Sequence, residues 1–243
     1  MGAVIYYDQR GTGLSDYVRG DGYTVAQSVA DLDRLRSALG LERWFVLGHS
    51  YGGALAQLYA LTHTARVAGL ILVGSAPPLG LAIGTRQYQF ISEAERDRIE
   101  QIYHLGGVRV VPSHNAHLNQ EDLTNRIYNA FLNGDWKRQQ FYKPTRAEMA
   151  IIARYEWVHD LGYAEEMVAD SSRIDLIGRF QRVGMRTLIM EGAHDLVFDA
   201  DKPTRFAAEH PRAELVVLDQ GGHFPFKDDP DAFFAALRRF MLD

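Results

Sequence analysis

The sequence has no cysteine among its 243 residues. A disulfide framework, a thiolate metal site and a cysteine nucleophile are therefore excluded. Basic residues are also few, because 26 Lys and Arg face 31 Asp and Glu and leave a formal net charge of −5. We expect no nucleic-acid partner, since a chain without a basic excess has little with which to neutralise a phosphate backbone.

Long apolar runs are missing as well. The longest run, near residues 67–73, is far shorter than the roughly 20 residues that cross a bilayer. The first ten residues carry no basic segment or cleavage site of a secretory signal. With 47% hydrophobic and 23% charged residues, the chain has the balance of a globular protein. We expect a cytoplasmic protein without a membrane partner, and its oligomeric state stays open.

Short apolar runs alternate with amphipathic segments along much of the chain. Predicted strands cover residues 3–7, 44–47, 70–73, 187–190 and 214–218. Predicted helices cover residues 25–39, 54–61 and 202–210, with a last helix from Pro230. Thr24 and Gln27 form a capping box before the first helix. This alternation predicts an α/β fold, a mostly parallel sheet of at least five strands with helices on both faces.

The strand–helix alternation stops between residues 77 and 183. That segment has few strand-like runs and is mostly helical in pattern, with many polar and aromatic residues. The alternation then returns. We therefore predict an α/β core made of residues 1–76 and 184–243, with residues 77–183 inserted as a helical cap.

Residues 48–52 fit the Gly-x-Ser-x-Gly pattern of a nucleophile elbow. The pattern follows a predicted buried strand and opens a predicted helix, which is the context that the motif requires. Ser50 is therefore the candidate nucleophile, and the Tyr51 N–H is the candidate donor to a developing oxyanion. The alternative is a glycine-rich turn with an incidental serine.

A serine hydroxyl needs a base and an orienting carboxylate before it can attack a carbonyl carbon. His223 follows a predicted strand and two glycines, so we assign it as the base. Asp195 lies just past the strand at 187–190 and is the candidate carboxylate, with Asp199 and Asp201 as fallbacks. Asp195 could instead cap the next helix, and His223 could be an ordinary turn histidine.

These motifs together resemble the α/β-hydrolase superfamily. The resemblance rests on Asp-Gln-Arg-Gly-Thr-Gly-Leu-Ser at residues 8–15, Gly-His-Ser-Tyr-Gly-Gly at 48–53, and the order Ser50, Asp195, His223. The opening at residue 8 is most similar to the proline iminopeptidase branch of serine aminopeptidases. The resemblance implies a helical cap whose glutamates hold the free amino group of the substrate. Glu156 is the candidate for that role, and a solvated helix glutamate is the alternative.

The sequence departs from that branch in two respects. Its elbow has Gly-His-Ser-Tyr-Gly where the iminopeptidases have Gly-Gly-Ser-Trp-Gly. Members of the family also have three strands before the motif at residue 8, and a His-Gly-Gly-Pro-Gly loop that supplies a second oxyanion donor. No such loop occurs in residues 1–243. We therefore expect the N-terminal strands to be missing from this chain and the second donor to be unassigned.

The expected chemistry is acyl transfer to water through an acyl-enzyme, without a metal or organic cofactor. The expected substrate is a short peptide or amino-acid amide with a free N-terminus, with proline as a candidate first residue. Two alternatives stay open. One is a carboxylesterase that acts on small esters, and the other is a non-catalytic binding protein or inactive fragment.

Overall fold

The structure is a computed structural model, and it describes most of the predicted core. The described residues are 3–16, 18, 22–75, 141–147, 167, 170, 174–176, 178–182, 184–195, 202–208 and 210–242.

Four strands form a single parallel sheet in the described part of the chain. They are β1 (Trp44–His49), β2 (Val67–Val73), β3 (Thr187–Gly192) and β4 (Ala213–Leu218), and their order in the sheet equals their order in the chain. Leu70 of β2 lies between Val46 of β1 and Thr187 of β3. Because the strands are parallel, their carboxyl ends all lie at one edge of the sheet. The predicted parallel sheet is confirmed.

Five described α-helices precede, connect or follow the strands: α1 (Val25–Ala38), α2 (Tyr51–Thr62), α3 (Lys202–Ala208), α4 (Pro225–Asp228) and α5 (Pro230–Leu242). The predicted cap of α1 is confirmed, since the Thr24 hydroxyl accepts a hydrogen bond from the Gln27 N–H at 3.1 Å. The helix α2 begins at Tyr51, three residues earlier than predicted, directly after Ser50. None of the described helices is long and apolar enough to cross a membrane.

Alternate side chains of the strands divide the core into two layers. Leu70, Leu72 and Ile189 pack on the face covered by α1, α2 and α3. Ile71, Val73, Leu188 and Met190 pack on the opposite face, against Phe233, Ala236 and Phe240 of α5. Successive residues of a strand point to opposite faces of the sheet. Because both faces of β2 and β3 are buried, these strands are continuous apolar runs in the sequence.

The prediction of a strand at residues 3–7 is wrong. Residues 3–9 have no regular secondary structure, and Val4 and Tyr6 are 74% and 90% exposed. β-branched and aromatic residues favour a strand only where a neighbouring strand and a core face receive them. No described strand pairs with the outer edge of β1, where Leu47 is 47% exposed. The described sheet therefore has four strands where at least five were expected.

Some residues of the predicted cap range 77–183 belong to the core cluster around α1 and α2. Met167 and Phe180 are buried there, and Ile174 packs against the same cluster. Asp170 accepts a hydrogen bond from the backbone N–H of Val25 at 2.7 Å, at the first turn of α1. The boundary between core and cap at residue 183 stays a prediction.

The loop at residues 8–15 is fastened to α1 by an ion pair. Arg10 donates from Nη2 to Oδ1 of Asp31 at 2.7 Å, and Gln27 donates to the same oxygen at 3.1 Å. Burial on its own would raise the pKa of Asp31, but the hydrogen bonds from Arg10 and Gln27 outweigh it and lower the pKa. The ion pair therefore favours the folded state wherever Asp31 is ionised.

Candidate active site

The three predicted catalytic residues follow three different strands at the same edge of the sheet. Ser50 comes directly after β1, Asp195 lies three residues past β3, and His223 lies five residues past β4. The remaining strand, β2, ends at Val73, and Gly74 follows it between these loops. Parallel strands deliver residues that are far apart in the chain to one edge, and α/β proteins bind their ligands there.

Ser50 has a strained backbone conformation. Its φ of 52° and ψ of −124° are unusual for a residue with a side chain. Two hydrogen bonds hold the turn, from Ser50 N to Val73 O at 3.1 Å and from Gly53 N to Ser50 O at 3.0 Å. A Cβ on Gly48 would overlap the carbonyl oxygen of Gly52, so the strand and the helix can meet only at a glycine. This is the backbone geometry of a nucleophile elbow.

Asp195 and His223 are brought together. Oδ2 of Asp195 lies 2.9 Å from Nδ1 of His223, and their side chains are 6% and 5% exposed. A carboxylate at Nδ1 favours the tautomer that carries a proton there and leaves Nε2 as the basic nitrogen. Backbone hydrogen bonds also join the two loops, from Ala193 N to Leu218 O and from His194 N to Gly221 O, both at 2.9 Å.

Gly74 supports this pair from the end of β2. Its φ is +46°, and an added Cβ would lie 2.8 Å from the carbonyl oxygen of His223 and 3.3 Å from its Nδ1. The same Cβ would lie 3.5 Å from Oδ2 of Asp195. The backbone of β2 thus lies directly against the Asp195–His223 pair, and a glycine provides both the space and the left-handed conformation.

His49 contacts the loop of His223 in a way that the motif alone did not predict. Its Nε2 lies 2.7 Å from the carbonyl oxygen of His223, and the two imidazole rings are 4.8 Å apart between centroids. The rings of Phe224 and Phe226 also pack on His49, at 4.7 and 5.3 Å. The histidine is visible in the sequence, but its contact with a backbone carbonyl in another loop is not.

Tyr51 is the first residue of α2, so its N–H lies at the helix N-terminus, where the helix dipole favours negative charge. Its role as oxyanion donor stays a prediction. The Tyr51 hydroxyl contacts Sδ of Met167 at 3.9 Å. Glu156, proposed to bind an amino group, and the fallback acids Asp199 and Asp201 lie outside the described residues.

No group of three or more histidine, aspartate or glutamate side chains in the described part of the chain could hold a metal ion.

Comparison with known proteins gives the family of the chain. Residues 3–230 match the family described as alpha/beta hydrolase fold. A proline iminopeptidase of Neisseria gonorrhoeae is 28% identical, over 98% of this chain and 80% of its own. A relative from Escherichia coli O127:H6 named as a carbamate hydrolase is 26% identical, over 96% of this chain and 79% of its own.

Solved structures give the same fold. An esterase of Exiguobacterium antarcticum superposes with a TM-score of 0.68 at 21% identity, over 97% of this chain and 80% of that one. At this identity the likeness concerns the fold, which includes the parallel sheet and the helices on its two faces. With the family match over residues 3–230, the chain belongs to the alpha/beta hydrolase fold family and is a hydrolase of that fold.

Proposed function

We propose that the protein is a serine hydrolase of the proline iminopeptidase type, which releases N-terminal residues from short peptides. The observation that carries the proposal is the buried Asp195–His223 pair, with 2.9 Å between Oδ2 and Nδ1, at the sheet edge where Ser50 occupies a strained turn. The similarity to a proline iminopeptidase over 98% of the chain supports the choice of substrate.

In the proposed first step, the Ser50 Oγ attacks the carbonyl carbon of the substrate. Nε2 of His223 takes the hydroxyl proton, and Asp195 stabilises the resulting imidazolium through Nδ1. The carbonyl oxygen becomes an oxyanion, to which the Tyr51 N–H donates. The intermediate collapses when the bond to the leaving amine breaks, and His223 gives its proton to that amine.

In the proposed second step, water hydrolyses the acyl-enzyme. His223 takes a proton from the water, and the hydroxide formed attacks the ester carbonyl of the acylated Ser50. Collapse of the second tetrahedral intermediate releases the free acid and returns the proton to Ser50 Oγ. The cycle consumes one water and uses no metal or redox partner.

The test of the nucleophile is labelling with a fluorophosphonate, which reacts with an activated serine. Wild-type protein should be labelled, and Ser50→Ala should not be labelled and should lose turnover by at least about 10³-fold. Ser37→Ala, a change at an exposed serine of α1, is the matched control and should behave as wild type. Labelling that persists in Ser50→Ala would refute the assignment. Absence of labelling in the wild type would favour the non-catalytic alternative.

The substrate class is tested by comparing a proline arylamide, its N-blocked form and a short-chain nitrophenyl ester. An aminopeptidase requires the free amino group, whereas a carboxylesterase does not. We propose that Glu156 binds this amino group, so Glu156→Gln should raise KM for the free arylamide and leave the ester unchanged. Equal effects on both substrates would remove that role. Preference for the ester, with no amide turnover, would favour the carboxylesterase. The esterase of Exiguobacterium antarcticum, which has the same fold, makes this the second candidate.

A further inference from the structure

One carboxylate joins the loop of His223 to a distant segment of the chain. Asp228 is the last residue of α4, the short helix that follows His223, and its side chain is 1% exposed. Its Oδ2 accepts hydrogen bonds from the backbone N–H groups of Gly222 at 2.8 Å and Tyr142 at 2.9 Å. Gly222 directly precedes His223 in the chain, and Tyr142 lies in the predicted cap range 77–183.

Two aromatic contacts lie beside these hydrogen bonds. Phe141 stacks on Phe224 with 4.9 Å between ring centroids and 14° between ring planes. Tyr142 stacks on His194 at 4.3 Å and 19°. Phe224 directly follows His223, and His194 directly precedes Asp195. Residues 141 and 142 therefore contact the immediate neighbours of both members of the catalytic pair.

The backbone directly after Tyr142 has an unusual conformation. Lys143 has a φ of 43°, and besides Ser50 it is the only non-glycine residue with positive φ among those that the structure describes. Such a conformation persists only where surrounding contacts hold it. The charges that face the carboxylate come from Lys227, whose Nζ lies 3.7 Å from Oδ1 of Asp228 and 4.8 Å from the ring of Phe141.

We propose that Asp228 is a positioning residue, which holds the His223 loop and residues 141–142 in one arrangement. The orientation of the His223 imidazole then depends on whether residues 141–142 are in contact with Asp228. The proposal rests on the catalytic role given to His223 above. An ionised acceptor holds N–H donors more strongly than a neutral one. A small displacement of a catalytic base is enough to slow the reaction strongly.

The first experiment compares Asp228→Ala and Asp228→Asn, with Asp231→Ala as control at an exposed acid three residues away. Turnover of a nitrophenyl ester is expressed per active site, counted by fluorophosphonate titration, so that loss of folded protein does not count as loss of rate. We expect Asp228→Ala to lower kcat by about 10²-fold with little change in KM. Asp228→Asn keeps an acceptor oxygen and should recover part of the loss, while Asp231→Ala should equal wild type.

The second experiment tests the coupling to residues 141–142 and does not require Asp228→Ala to fold well. Tyr142→Ala removes the stacking on His194 but keeps the backbone N–H, whereas Tyr142→Pro removes both. Tyr142→Pro should therefore reduce kcat below the level of Tyr142→Ala. The same pair should differ less in an Asp228→Asn background, since the N–H acts through the carboxylate.

The outcomes separate this proposal from the proposed function. If wild-type protein is labelled at Ser50 and Asp228→Ala keeps wild-type kcat per titrated site, the positioning role is wrong and the hydrolase assignment stands. Equal kcat in Tyr142→Ala and Tyr142→Pro would refute the coupling. A wild type that is not labelled at Ser50 would overturn the proposed function and, with it, the role of Asp228.

Discussion

Gly74→Ala is the substitution that tests most directly how the Asp195–His223 pair is held. The new methyl carbon would lie 2.8 Å from the carbonyl oxygen of His223, closer than the 3.0 Å below which such contacts essentially do not occur. The backbone of His223 or of residue 74 therefore has to shift to relieve this contact. The carbonyl oxygen of His223 is also 2.7 Å from Nε2 of His49, so a shift of His223 would disturb that hydrogen bond as well.

Two effects on the free energy can be separated. A left-handed φ costs a residue with a side chain about 1–2 kcal/mol, and this cost appears in the free energy of unfolding. Displacement of His223, the proposed base, would act on the rate. Since an error of about 1 Å costs about 10²-fold, we expect kcat/KM to fall by about 10- to 100-fold. This range corresponds to a barrier increase of about 1.4–2.7 kcal/mol.

Gly40→Ala is the matched control, because Gly40 has a φ of +68° and no atom within 4 Å of an added Cβ. It carries the backbone strain without the contact. Both variants should lose stability in urea unfolding, and only Gly74→Ala should lose kcat/KM for the ester. Wild-type kcat/KM in a folded Gly74→Ala protein would refute the idea that Gly74, at the end of β2, supports the Asp195–His223 pair.

Three further predictions concern other parts of the described structure. His49→Phe keeps an aromatic ring but removes the hydrogen bond to His223, so kcat should fall by up to about tenfold in the ester assay, and an unchanged kcat would contradict the bond's role. Phe240→Ala leaves a cavity against the sheet and should lower the free energy of unfolding, measured in urea, by about 3–5 kcal/mol. A loss under about 1 kcal/mol would mean that neighbouring side chains move to fill the cavity. Because the pKa of Asp31 is lowered in the folded protein, its ion pair with Arg10 stabilises the fold fully above the ordinary value of 3.8, and this stabilisation is lost as the pH falls through the lower folded value. In Asp31→Asn the free energy of unfolding should therefore depend less on pH below about pH 5. A pH dependence equal to that of the wild type would show that the Arg10–Asp31 pair does not stabilise the fold.

The strands were predictable where both faces are buried, because such strands consist of consecutive apolar residues. The apolar runs at 70–73 and 187–190 became β2 and β3 because helices cover both sides of these strands. The run at 3–7 has a similar composition and is not a strand. The composition of a segment shows that it could form a buried strand, but it does not show whether a neighbouring strand pairs with it.

The candidate site was predictable to the extent that each residue follows a strand. Ser50, Asp195 and His223 each stand past a strand end, and parallel strands place these ends at one edge. Asp228 and Tyr142 escaped prediction because their contact joins a side chain to a backbone N–H across 86 positions of the chain. Every residue except proline carries that donor, so no pattern of side chains marks it.

The strands β2 and β3 are hydrogen-bonded neighbours, yet β2 ends at Val73 and β3 begins only at Thr187. The long chain between them leaves and re-enters the sheet at adjacent positions. Because the entropy of closing a loop rises only with the logarithm of its length, each doubling costs about 0.6 kcal/mol. The length of the intervening stretch can therefore change with little penalty to the register of the sheet, provided that Tyr142, Asp170 and Phe180 keep their contacts. A chimaera that carries a relative's insert should therefore keep the register of the sheet only if it retains the contacts to Asp228, to Val25 and to the core around α1 and α2.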